Sequence, residues 1–175
     1  TYSRVSDNNF SIVYVYDIAG KKEYPVTDKW YESYSPVFST DGKYLVFTSA
    51  RDFNPTYSQT EWNHVYNNMG GVYLALLSME TDAEVAIEST PAKADASKKD
   101  ETKNEASTPV VKIDIEGITD RIVKLPLPGS NYYDLYSDGT NVYYFTKGGM
   151  KMFDLKKQKK LQKAVNHNLS GFKDK

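Results

Sequence analysis

A Ser-Thr-Asp-Gly turn set between two runs of β-forming residues constrains this chain more than any other feature. Residues 37–38 (VF) lead into Asp41 and Gly42, where glycine accepts the positive φ that a reversal needs. Residues 44–48 (YLVFT) then return as an aromatic and β-branched strand. Pro36 is expected at the start of the first strand, where no ladder donor is lost. The unit comes back later in the chain. Asp138 and Gly139 stand before 141–146 (NVYYFT), so that 143–146 correspond to 45–48, each behind an Asp-Gly turn and ahead of another apolar strand.

Similar strand-turn-strand units in series are the mark of β-propellers. Composition agrees with an all-β fold. Fifteen Tyr and seven Phe join short Val and Ile runs separated by Gly and Pro, and no long apolar helix pattern competes. The expected architecture is a partial β-propeller of four-stranded antiparallel blades, about two to three of them, with a long disordered insertion.

Residues 1–32 form the end of one blade. In it 12–18 and 23–27 are its outer two strands, and Pro25 marks an edge. The aromatic link 29–34 is expected to pack between blades. Residues 33–125 form a second blade, with the hairpin as its inner strands and 72–78 as the third. The stretch 51–71 is long for a connection, and an ordered Ω-loop or a helical turn over 60–66 would account for it. Residues 89–108 contain no aromatic residue and no Val, Ile or Leu, and their four Lys balance four acids, which describes a solvated spacer. Alternation over 110–115, Gly117 and the run 121–125 predict a hairpin. Residues 126–175 form a further blade with strands over 132–136, 141–146, 150–155 and 161–165.

A net charge of −1 gives the whole molecule no field that favours nucleic acid or an anionic membrane. No stretch approaches the ~20 apolar residues of a membrane span. The absence of Cys removes thiolate sites, and His64 and His167 show no ligand spacing, so the pattern calls for neither metal nor cofactor. Asp114 and Glu116 lie two apart and could touch a hard cation, although a solvated strand edge is the plainer account. Lysines over 156–160 describe a solvated turn. No nucleophile elbow accompanies either His, so no catalytic residue is assigned. The binding candidates are Arg51, Trp62, His64 and Tyr66, which combine a fixed cation, flat apolar surface and hydrogen-bond handles suited to a peptide or its carboxylate. Packing against a neighbouring blade is the alternative, with Arg51 paired to Asp52 or another nearby acid.

Residues 35–49 (SPVFSTDGKYLVFTS) resemble the repeat of TolB-like and WD40-like propellers. The continuation 50–55 (ARDFNP) and the stretch 111–126 (VKIDIEGITDRIVKLP) are similar, more narrowly, to the propeller region of tricorn-type serine proteases. The resemblance implies a non-catalytic propeller segment that filters or guides peptide or unfolded-protein substrates. Its partners would be the remaining blades, a PDZ domain and catalytic domains of a parent peptidase in the periplasm or outside the cell, with the cytoplasm left open. Two alternatives remain: a TolB-like propeller that binds a protein partner, and the propeller of a prolyl oligopeptidase-like hydrolase.

Replacing residues 89–108 by a short Gly/Ser linker is expected to leave the fold intact. Circular dichroism and amide dispersion check it: loss of the β spectrum would show that the segment contributes to the fold.

Overall fold

The computed structural model describes residues 1–52, 55–57, 64–81, 111–156 and 159–161, with backbone alone at 55–57, 64, 65 and 159–161. Three antiparallel sheets follow one another along the chain. The first has β1 (Tyr2–Val5), β2 (Ser11–Asp17) and β3 (Lys22–Pro25) in order β1-β2-β3. Sequence reading found β2 and β3 but not β1, whose residues are mostly exposed and carry no alternation.

The second sheet is the centre of the molecule. Its order is β4 (Ser33–Phe38), β5 (Tyr44–Ser49), β8 (Gly71–Leu76) and β9 (Ile122–Lys124). Between β5 and β8 the chain forms a separate two-stranded hairpin, β6 (Pro55–Tyr57) with β7 (His64–Tyr66). That corrects the helical turn expected to reach residue 66. The third sheet runs β10 (Tyr133–Ser137), β11 (Asn141–Thr146), β12 (Gly149–Asp154) and β13 (Lys159–Leu161). Its last strand lies earlier than expected; residues 162–165 are outside the described residues.

Every residue of β5 and β8 is buried, and period-two alternation deals them to opposite sides. Tyr44, Val46, Val72 and Leu74 meet Val142, Tyr144 and Phe153 of the third sheet and Tyr132 just before it. Leu45, Phe47, Tyr73 and Ala75 meet Val13, Val15 and Val26 of the first. Each side chain so buried stabilises the fold by about 1.5–3 kcal/mol, which is why both faces of the strands are apolar. Two sheets stacked face to face on one buried central sheet form a partial β-propeller.

The inner strands share a distortion. Register shifts between Tyr34 and Val37 on β4, where Ser35 has φ 53°, and between Tyr133 and Tyr136 on β10, where Asp134 has φ 46°. Pro36 therefore sits inside β4, in the bulge and not at the strand's start, and the bulge removes the need for its donor. Both Asp-Gly turns form as expected, with φ 70° at Gly42 and 85° at Gly139. They also touch: the Thr40 N–H donates to the Ser137 carbonyl at 3.1 Å, joining neighbouring blades through main chain.

The hairpin expected over 110–125 does not form among the described residues. Residues 111–115 are irregular, and a 3₁₀ turn, Ile118–Arg121, precedes β9. Arg121 explains the path, since its guanidinium donates to the carbonyls of Leu76, Glu116 and Asp114 and satisfies backbone that a second strand would otherwise pair. Ile113 and Ile122 still face the core beside Ile118, so the alternation recorded burial without a ladder. Of the aromatic link, Trp30 is 81% exposed, contrary to the expected packing between blades. The proposed spacer 89–108 lies outside the described residues.

Phe47 is fully buried and stacked on Tyr73 at 5.9 Å. Phe47→Ala is expected to cost about 3–5 kcal/mol, seen as a lower denaturant midpoint, while exposed Ile18→Ala should stay within about 0.5 kcal/mol.

Candidate functional site

Antiparallel connections place the loops at two ends. The Asp-Gly turns occupy one; the connection from β5 to β8 and the turn from β11 to β12 occupy the other. At this second end Ser130 N–H donates to Gly70 O at 2.9 Å, which ties the connections of adjacent blades together, while Ala50 N–H donates to Glu32 O at 2.9 Å and extends the β4–β5 pairing.

Arg51 leaves β5 into this end. Its Nη2 meets Asp28 Oδ2 at 3.1 Å and its Nε donates to Ser49 Oγ at 3.2 Å. The guanidinium stands 5.5 Å from the Tyr31 ring and 5.8 Å from that of Tyr73. An ion pair, a neutral acceptor and two π faces thus hold it, with 17% of the side chain exposed. Its acid is Asp28, from the link before β4. Asp52 instead pairs with Lys124 at 2.7 Å, and its amide donates to Met69 O at 3.0 Å. Sequence offers no signal for the Arg51–Asp28 pair, because twenty-three positions separate the partners and only the fold brings them together.

Tyr66, at the end of β7, is 51% exposed. His64 opens β7, and Trp62 lies outside the described residues. The exposed aromatic surface at this end comes from Tyr66, Tyr31 and Trp30, the last two unassigned by sequence reading. Burial, with the charge of Asp52 adding to it, pushes the Tyr73 phenol up to about 12. Burial does the same to Tyr132 in the neighbouring blade, again to about 12.

The acidic pair Asp114 and Glu116 is not a solvated strand edge. The Asp114 carboxylate accepts the Met79 N–H at 2.9 Å and the Ser78 hydroxyl at 3.1 Å, and the Met79 hydrogen bond above all holds it below the usual carboxylate range. Among the described residues no three His, Cys, Asp or Glu group as a metal site. Asp138 serves its turn, accepting the amides of Thr140 at 2.9 Å and Asn141 at 2.6 Å.

Blades of this form, with a loop-bearing end built on paired charges and aromatic rings, define a segment of a β-propeller. The chain belongs to the family described as the tricorn protease second beta propeller domain, whose model matches residues 1–173. It is 32% identical over 102 residues to tricorn protease homolog 1 of Streptomyces coelicolor, covering 58% of this chain and 10% of that protein. It is 24% identical over 161 residues to a tricorn protease homolog of Saccharolobus solfataricus, covering 84% of this chain and 14% of that protein. The crystal structure of the tricorn protease superposes with a TM-score of 0.64 at 15% identity, over 91% of this chain and 18% of that one, a likeness of fold. The chain thus spans a small part of the relatives it matches.

Tyr73 and Tyr132 predict an alkaline limit. A phenol raised from 10 to about 12 by folding stabilises the folded chain fully below pH 10, and that contribution is lost as pH rises through about 12. Absorbance of tyrosinate followed together with circular dichroism should show a group of buried tyrosines, Tyr73 and Tyr132 among them, that ionises only as the fold is lost. Ionisation of every tyrosine near pH 10 in a folded chain would contradict it.

Proposed function

We propose that this chain is a non-catalytic propeller segment of a tricorn-like serine peptidase, which guides or filters peptides toward catalytic domains elsewhere in the parent and scaffolds them. The observation that carries this reading is the set of exposed aromatic side chains at the loop-bearing end, where Trp30 is 81%, Tyr66 51% and Tyr31 41% exposed, with Tyr31 against the anchored Arg51. Flat rings stack on side chains and peptide planes with little regard to sequence, which suits a guide better than a selective receptor. Arg51 orients Tyr31 by cation–π contact while its own charge is paired with Asp28.

The outer face of the third sheet supports the scaffolding half of the reading. Tyr133 is 51%, Tyr136 53% and Phe145 40% exposed there, turned away from the central sheet. A further blade of the parent would cover that face as the central sheet is covered. Trp30, Tyr133 and Tyr136 thus serve different partners, a passing peptide and a fixed neighbour.

Titration of the chain with unfolded peptides, followed at the backbone amides of Tyr31, Arg51 and Tyr66 and at the Trp30 indole, tests the guiding role. Saturable shifts there, weakened about threefold or more by Trp30→Ala, are expected. Shifts confined elsewhere, or unchanged in the variant, would remove the role, and peptide turnover that disappears in His64→Ala would end the non-catalytic reading.

A further inference from the structure

A cleft of about 230 Å³ opens between the turn from β11 to β12 and the segment leading into β10. Its lining includes Ser130, Tyr144, Thr146, Lys147, Gly148 and Lys151, and no Asp or Glu. Neither lysine pairs with a carboxylate among the described residues. Lys151 Nζ lies over the turn, 3.9 Å from where a Cβ on Gly148 would stand. Two lysines therefore line one concave site that has no acid in its wall, a setting that attracts an anion.

A second observation separates this cleft from an ordinary basic turn. Tyr144 is 1% exposed, and its hydroxyl has no hydrogen-bond partner. Its neighbour Tyr132, whose ring stands edge-on to it at 5.3 Å, shows the ordinary solution by donating to the Pro128 carbonyl. A buried hydroxyl without a partner destabilises the fold, and such groups mark places where an oxygen from outside completes the network. Burial raises the Tyr144 phenol above its usual value, so it stays protonated and available as a donor. The turn itself is already satisfied, with the Gly148 N–H donating to Thr146 Oγ1 at 3.3 Å, so the ligand is needed by the lysines and the phenol and not by the backbone.

We propose that this cleft binds a small oxyanion, a phosphate or a carboxylate, held by Lys147 and Lys151, with the Tyr144 hydroxyl, closed to solvent in this conformation, donating to it once the lining parts. The shared chemistry is an oxygen with negative charge and room for several donors. The site does not rest on peptide guidance: free phosphate satisfies it as fully as a peptide terminus. It lies at the loop-bearing end, tied to the central blade through the Ser130 N–H and the Gly70 carbonyl, so occupancy would reach the connection before β8.

The test is a titration of the whole chain, followed by amide spectra at constant ionic strength, with inorganic phosphate in one arm and N-acetylglycine in the other. N-acetylglycinamide is the uncharged control. Saturable shifts at Ser130, Gly148 and Gly149 are expected, weakened about tenfold or more in Lys147→Met/Lys151→Met and about threefold to tenfold in Tyr144→Phe. The lysine pair tests the site at solvent-facing positions if the buried change perturbs the core. Preference for phosphate assigns a phosphate ligand; preference for N-acetylglycine with the amide silent assigns a carboxylate; either supports the proposal. No saturable shift up to about 50 mM, shifts retained in the double lysine variant, or a folded Tyr144→Phe that binds as tightly as the parent would each overturn it.

Discussion

Everything in this structure depends on the central sheet being covered on both sides. Strands β5 and β8 leave no residue to solvent, so neither flanking sheet can be removed without exposing one of the two apolar layers. A strand exposed on one face takes polar residues at alternate positions; a strand with two buried faces is apolar through its length, and β5 admits only the small polar residues Thr48 and Ser49, at its end. That is the physical reason residues 44–47 run Tyr, Leu, Val, Phe without interruption. It also explains why the open faces of the outer sheets carry aromatic residues at partial exposure, since they have the same geometry as the central sheet with one neighbour fewer.

Order between the blades comes from polar contacts at their two ends. At one end a main-chain hydrogen bond joins the Asp-Gly turns; at the other Arg51 gathers Asp28, Ser49, Tyr31 and Tyr73 from three separate stretches of chain. Apolar layers alone permit sliding, whereas directional contacts at both ends do not. The loop-bearing end is consequently a fixed surface on which exposed aromatic side chains are presented, and the basic cleft beside Tyr144 belongs to that same surface.

The hairpins were legible because local chemistry dictates them. Asp41 with Gly42 and Asp138 with Gly139 need only their own neighbours to reverse the chain, and the strands around them follow. Strand β1 was not legible, because its stability comes from pairing with β2 and not from any pattern of its own. The alternation over 110–115 misled for the opposite reason: Ile113 does face the core, yet Asp114 caps the chain beyond β8 and Arg121 occupies the carbonyls, so burial occurs without a strand. At the loop-bearing end Arg51 and Tyr66 were visible as chemistry, but the acid and the rings that hold Arg51 were not. Contacts such as Arg51 to Asp28, and an unpaired hydroxyl such as that of Tyr144, exist only once the sheets are stacked.

The return of the chain to β9 has a further consequence. Arg121 and Asp114 fix that return with groups that all lie within a few residues of the sheet, at Leu76, Ser78, Met79, Glu116 and Asp114 itself. The register of the outermost strand is therefore held by a clamp close to the sheet, which does not itself require a fixed length of chain between Leu76 and Ile122. Closing a longer excursion costs only closure entropy, about 0.6 kcal/mol for each doubling of a flexible connection. The rim of this blade is accordingly a place where sequence can be gained or lost over evolutionary time while the register of the strand beyond it stays the same.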